Sequence, residues 1–189
     1  MDCKLFIRFR YGFSIKGYKD TYEFFCSTIT ERTKWIRHLK TICILHSFEA
    51  KYTLKEILGE GSFSKVYLGT RNKDESKFAI KSIKKKETFN EATALKCLVK
   101  EIEILRLLDH PNIVKLHEVY ETTEYLYLIM EFVEGEDLFT HLEKKKLYSE
   151  KDTSMIIKQV LEALNYCHTL NIAHRDLKSE NIIIEYLPI

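Results

Sequence analysis

Glycine and proline are scarce, six and two among 189 residues, so composition marks out few loops and no low-complexity linker or internal repeat is visible. Cysteine is neither abundant nor paired. Cys3, Cys26, Cys43, Cys97 and Cys167 are odd in number, scattered and without a CxxC pair, which excludes a disulfide framework and favours reduced thiols inside the cell. Charge of one sign is lacking too: the formal net charge of +2 gives no argument for a nucleic-acid or membrane partner. No apolar run approaches the ~18 residues of a membrane span. Met1 to Arg10 mix Asp2, Lys4, Arg8 and Arg10 among apolar residues, unlike a secretory leader, so a cytoplasmic location is expected. What remains is an ordinary globular composition, 45% hydrophobic and 31% charged, long enough for one good core or two small pieces.

The hydrophobic pattern changes near Ser47 to Tyr52, which places a linker at 47–51. Before it, Phe9, Tyr11, Phe13 and Ile15 alternate with Arg10, Gly12 and Ser14 and predict a strand. Tyr22, Phe24 and Cys26 alternate again after a Lys19-Asp20 turn and predict its hairpin partner. Thr28 and Glu31 then fit a capping box, and Trp35, Leu39 and Ile42 fall at helical spacing, with Trp35 expected as a buried anchor. Strands followed by a helix with a tryptophan on its buried face resemble the C-terminal end of a pleckstrin-homology domain over residues 5–46, which places a partial domain at 1–46. Lipid binding does not follow: that family's phosphoinositide-binding residues lie mostly in an early hairpin without a counterpart here. Lys16, Lys19 and Arg37 read as solvated surface.

From Tyr52 onward strands are predicted at 52–58, 65–71, 77–83, 114–120 and 125–131, with a helix over 91–108 inserted after the third. A short helix at 137–144 leads to a longer one, capped by Ser149 with Asp152 three on, whose face is Ile157, Val160, Leu164 and Cys167. The fold class is α+β, with five strands and one helix followed by helices.

Four stretches carry chemistry. Gly59-Glu60-Gly61-Ser62-Phe63-Ser64-Lys65-Val66 sits between two predicted strands, where glycine lets backbone N–H groups approach phosphates. A Walker loop is excluded because it ends in Gly-Lys-Ser/Thr, whereas this one ends in Ser64-Lys65-Val66. A dinucleotide-binding turn is excluded because it opens a helix, and here strand continues. Phe78-Ala79-Ile80-Lys81 places a lysine on a strand, and Lys100-Glu101-Ile102-Glu103 offers it two acidic partners from a helix. His174-Arg175-Asp176-Leu177-Lys178-Ser179-Glu180-Asn181 crowds a base, a cation and an amide onto one loop, the set needed to pass a phosphoryl group to a hydroxyl.

Together these motifs resemble the protein kinase family, and Lys178, two residues after Asp176, resembles its serine/threonine branch. The loop sequence and His110-Pro111-Asn112 are similar to the calcium/calmodulin-dependent group. The resemblance implies a small lobe over 52–133 (a five-stranded antiparallel sheet and one helix) and the start of a helical large lobe over 134–189. It implies ATP and Mg²⁺ as cofactors and a protein Ser/Thr hydroxyl as acceptor. Lys81 would reach the α- and β-phosphates with Glu101, rather than Glu103, as its partner. Leu58, Val66, Ala79 and Ile183 would enclose adenine, Glu131 and Val133 would form its rim, Met130 would guard the back pocket and Asp137 would accept from the ribose. Asp137 is also readable as a helix cap. Asp176 would take the hydroxyl proton, Lys178 would offset phosphoryl charge and Asn181 would hold the metal. Ser64 stands where the family has its third glycine, and Ser179 where it commonly has proline. Acidic Asp137 and Glu180 suggest basic residues upstream of the phosphosite. No Asp-Phe-Gly follows Asn181. The expectation is therefore a partial kinase domain with little transfer activity by itself, the alternative being a non-catalytic nucleotide-binding or decoy module. A membrane-interaction module led by residues 1–46 is a third reading.

Overall fold

In a computed structural model, residues 4–7, 11–17, 20–61, 64–85, 92–145 and 147–185 are described. They form two compact units: 1–106 with 116–131, and 107–115 with 132–189.

The first unit is built on a sheet. Strands β1 (Lys4–Ile7), β2 (Gly12–Lys16) and β3 (Thr21–Phe25) form an antiparallel meander, followed by helix α1 (Ile29–Leu39) and a short strand β4 (Ile44–Leu45). Strands β5 (Tyr52–Glu60), β6 (Ser64–Arg71) and β7 (Lys77–Lys84) come next, then helix α2 (Ala92–Leu107) and strands β8 (Leu116–Glu121) and β9 (Tyr125–Glu131). The strand order is β3-β2-β1-β4-β8-β9-β7-β6-β5. The five antiparallel strands expected after residue 52 are therefore present with their helix, but the sheet does not stop at β8. β4 adds to that edge in parallel, pairing Ile44 with Val119 and Leu45 with Tyr120.

Both faces of this sheet are covered. Ile83, Leu116, Val119, Leu126 and Leu128 pack with Leu98 and Ile102 of α2, joined by partly buried Ile44. Ile80, Phe78, Tyr120, Tyr127 and Ile129 pack instead with Phe13, Leu39, Cys43, Leu45, Phe48 and Tyr52. Two-sided burial explains the unbroken apolar run of β9, Leu126 to Ile129, where a half-exposed strand would alternate. Residues 47–51, read as a linker, hold Phe48 at 3% exposure, stacked 3.9 Å from the Tyr127 ring.

Several expectations change in the N-terminal stretch. Of the strand predicted over 9–15, the described part is β2 from Gly12, with Tyr11 before it at φ 47°, and a further strand, β1, lies earlier in the chain. Phe9 and Lys19 lie outside the described residues. α1 is capped as the sequence predicts, Thr28 Oγ1 accepting from Glu31 N at 3.1 Å, while the Glu31 carboxylate accepts from Ser27 N. Trp35, however, is 51% exposed, and the helix buries Leu39 and packs Ile36. Trp35 and Ile36 lie on adjoining arcs of the helix, and the arc of Ile36 and Leu39 is the one that joins the core.

In the second unit, β10 (Gly135–Asp137) and β11 (Ile183–Glu185) form an antiparallel pair beside helix α3 (Leu138–Lys145). Helix α4 (Glu150–Thr169) is capped by Ser149, which accepts from Asp152 N at 3.0 Å. Of its expected face, Cys167 is buried and Val160 and Leu164 are half-buried, but Ile157 is exposed. His110 stacks on Tyr166 of α4, and the Asn112 amide donates to Gln159 O at 3.3 Å, which docks the His-Pro-Asn segment.

Candidate functional site

The β5–β6 hairpin carries the glycine-rich turn. Gly59 pairs with Val66 and Glu60 with Lys65, and Gly61 N donates to Ser64 O at 2.8 Å across the tip. Ser62 and Phe63 lie outside the described residues. Neither described glycine has positive φ, so backbone conformation does not demand them. A Cβ on Gly59 would meet nothing within 4 Å, so packing within the protein does not demand it either. The backbone at Gly59 is left open to approach. Glu60 and Lys65, both exposed, pair at 2.6 Å and brace the turn from outside.

Strand β7 presents Lys81 and Ala79 on one face. In register, Lys81 lies between Val66 and Leu128, and Ala79 between Leu68 and Met130. Directly opposed residues share a face, so Val66, Ala79, Lys81 and Met130 are gathered on one surface of the sheet. Lys81 Nζ lies 2.8 Å from Glu101 Oε1 of α2; Glu101, not Glu103, therefore meets the lysine. Leu58, on β5, is exposed. Glu131 closes β9 opposite Phe78 and is exposed.

The second unit gathers the remaining candidates. Asn181 ends a 3-10 turn (Ser179–Asn181), and its Nδ2 donates to Asp176 O at 2.7 Å and to Asp176 Oδ2 at 2.9 Å. Lys178 Nζ stands 3.6 Å from the same carboxylate oxygen. Arg175 adopts φ 65°, a left-handed conformation that costs energy for a residue with a Cβ and bends the loop just before Asp176. His174 Nδ1 accepts from Asp176 N at 3.3 Å. The Asp176 side chain is 69% exposed, open to an incoming group. The Ser179 hydroxyl donates to Glu180, and Glu180's own backbone amide together with that hydroxyl holds its carboxyl below the usual range.

Asp137 pairs with Ile183 across β10–β11 and spends both oxygens on α3, accepting from Thr140 N at 2.9 Å and Thr140 Oγ1 at 2.7 Å. The Thr140 backbone and hydroxyl hold its carboxyl below the ordinary range. The helix-cap reading of Asp137 is thus present in the structure. Ile183 is exposed on β11, and Val133 is half-buried in the stretch before β10.

For a divalent cation the donor chemistry fits in part. Asn181 donates through Nδ2, which leaves Oδ1 as an oxygen ligand of the kind a hard cation takes. Among the described residues no three His, Cys, Asp or Glu converge on a common point. An ion held here would rely on phosphate oxygens for most of its shell.

Other residues were not singled out by sequence reasoning. Glu118, Lys40 and Arg106 all tie the N-terminal segment to the strands and helix after residue 52. No local motif marks such pairs, because their partners lie 78 and 63 residues away.

The glycine-rich hairpin and the strand lysine paired to a helix glutamate lie in the first unit, and the Asp-x-Lys-x-x-Asn loop lies in the second. The model of the protein kinase domain matches residues 52–187, and the chain belongs to that family. The chain is 44% identical over 137 residues to myosin light chain kinase A of Dictyostelium discoideum, covering 72% of this chain and 46% of that protein. It is 48% identical over 136 residues to calcium/calmodulin-dependent protein kinase type 1 of Macrobrachium nipponense, covering 71% and 39%. It is 40% identical over 148 residues to the protein of that name from Caenorhabditis briggsae, covering 78% and 41%. Within the family, its similarity is to the calcium/calmodulin-dependent branch of serine/threonine kinases. The chain spans less than half the length of these relatives.

Proposed function

We propose that the protein bearing this chain transfers the γ-phosphoryl group of Mg·ATP to a serine or threonine hydroxyl of another protein. The observation that carries the reading is the Asp176–Asn181 bracket with Lys178 beside it. Asp176, steered by the Asn181 amide, orients the acceptor hydroxyl and takes its proton. Lys178 lies against the same carboxylate and offsets the charge of the moving group. Lys81, held by Glu101, takes the α- and β-phosphates, and the open backbone at Gly59 allows close approach to them. Asn181 would offer its Oδ1 to a metal ion accompanying ATP, which would supply charge neutralisation at the phosphates.

The finer points belong to the same proposal. Leu58, Val66, Ala79, Met130, Glu131, Val133 and Ile183 serve adenine, and Asp137 serves the ribose as well as α3. A pleckstrin-homology-like segment meets the kinase part at 47–51, and the two contribute to one core. The location is cytoplasmic, a reading supported by Cys26, Cys43, Cys97 and Cys167, none of which is in a disulfide. The substrate is a protein with basic residues upstream of the phosphosite, which the exposed carboxylate of Glu180 would favour.

The 189 residues contain no Asp-Phe-Gly, and this favours a second reading for the stretch taken alone: nucleotide capture without transfer. Both readings are tested together. Calorimetry should give saturable Mg·ATP binding that Lys81→Met abolishes. Phosphate transfer to a basic serine peptide should be seen with the whole protein and be absent with the 189-residue polypeptide. In the whole protein, Asp176→Asn should lower kcat by about 10²–10⁴-fold. Equal kcat in that variant would exclude Asp176 as the base, and transfer by the 189 residues alone would exclude the second reading.

A further inference from the structure

Whether Glu101 meets Lys81 depends on where helix α2 lies, and the ion pair itself is too wet to decide that. Its side chains are 28% and 45% exposed, and pairs so open to solvent contribute little. The helix needs other anchors. Leu98 and Ile102 bury one side of it against β7, β8 and β9. Near its last turn, Arg106 Nη2 donates to the backbone carbonyl of Cys43 at 3.1 Å.

Cys43 is a well-built receptor for that bond. It is fully buried, its N–H donates to Leu39 O at 2.8 Å at the end of α1, and the next two residues pair with Val119 and Tyr120 of β8. Ile44 packs into the same apolar cluster as Leu98 and Ile102 of α2. The stretch from Leu39 to Leu45 is thus fixed by the helix before it, the strand beside it and the core beneath it. Arg106 lies five residues after Glu101, about 7.5 Å along the helix axis.

We propose that the Cys43–Ile44 stretch is a strap that sets the position of α2, and that Arg106 is a positioning residue holding Glu101 within reach of Lys81. The inference rests on the kinase reading of Lys81 and Glu101. It adds that residues well before the catalytic motifs control how well the nucleotide is held. The contact is a backbone carbonyl bound by a guanidinium, so the sequence at position 43 is less important than the course of the chain there.

The test is a double-mutant cycle on Mg·ATP affinity in the full chain, by calorimetry, with circular dichroism and melting as fold checks. Arg106→Met should weaken binding by about ten-fold. Arg106→Lys, which keeps a cationic donor for the Cys43 carbonyl, should restore most of that loss. In a Glu101→Gln background, Arg106→Met should change affinity by no more than about two-fold, because the group it positions is already gone. A residue that merely stabilised the fold would give the same loss in both backgrounds, and that result overturns the proposal. So does wild-type affinity in a folded Arg106→Met protein. If Arg106→Met fails to fold, Ile44→Val carries the test: it trims the strap's contact with α2 and should show a smaller loss with the same dependence on Glu101, and a loss independent of Glu101 overturns the proposal. Absence of binding in the wild type removes the kinase reading itself and this inference with it, an outcome visible before any variant is made.

Discussion

Glu118 accepts from donors on three stretches of chain: Lys40 Nζ at 2.8 Å, Tyr52 OH at 3.0 Å and Tyr120 OH at 2.7 Å. Burial opposes its ionisation, but the hydrogen bonds from Lys40, Tyr120 and Tyr52 and the Lys40 charge outweigh it and hold the carboxyl below its ordinary 4.5. A carboxyl depressed in the folded state contributes stability above its unfolded pKa and loses it as pH falls through the folded one. Melting temperature should therefore be insensitive to Glu118 ionisation above about pH 4.5 and fall below it, and Glu118→Gln should flatten that acid limb. Glu118→Ala leaves Lys40 and two tyrosine hydroxyls without their acceptor and should cost about 2–3 kcal/mol, readable by denaturant titration. Gly59 makes the opposite case. With room for a Cβ inside the protein, Gly59→Ala should leave stability within about 0.5 kcal/mol of wild type while weakening ATP binding. A loss of stability instead would mean that the glycine serves the hairpin and not the ligand.

At the scale of elements, the kinase part was readable from sequence because its signals are local. Predicted strands at 52–58, 77–83 and 125–131 are observed at Tyr52–Glu60, Lys77–Lys84 and Tyr125–Glu131, each bounded by a change of hydrophobic pattern. The Ser149 and Thr28 caps were legible for the same reason, a side chain serving an amide three residues on. The N-terminal part was less so. Helical periodicity fixes that a face is apolar but not its rotation, and α1 carries Trp35 and Ile36 side by side, so the wrong arc was chosen. β1 lay outside the alternating run that starts at Phe9, because Leu5, Phe6 and Ile7 are consecutive apolar residues without a period of two. The β10–β11 pair depends on a close approach that sequence does not reveal. A Cβ on Gly135 would fall on the carbonyl of Ile184, which as backbone cannot move aside. Gly135→Ala should cost about 1–3 kcal/mol and pull Asp137 out of register with Ile183, lowering both melting temperature and nucleotide affinity.

On the scale of the whole molecule, the covering of the β7–β9 face by Phe13, Leu39, Leu45 and Phe48 makes the segment before residue 52 a contributor to the first unit's core. Removing residues 1–51 would uncover Tyr120, Ile80 and Ile129, each fully buried now, at about 1.5–3 kcal/mol for every large side chain exposed. Such a truncation should be insoluble or melt far below the full chain, and a stable, ATP-binding product would refute this account of the core. The individual clues to this arrangement lay in the sequence, in the unbroken Leu126–Ile129 run and in the aromatic Phe48 within a supposed linker. Their meaning was not, because it depends on a pairing between distant segments.

The parallel pairing of β4 with β8 also has a consequence for synthesis. Ile44 emerges from the ribosome about 75 residues before Val119, its partner. At ~5–20 residues per second that is a wait of about 4–15 s, during which the N-terminal meander and α1 have no sheet edge to join. The earliest-made part of the chain is completed late, and slowing translation between residues 45 and 116 would lengthen the time in which nascent polypeptide offers its aromatic surface to chaperones.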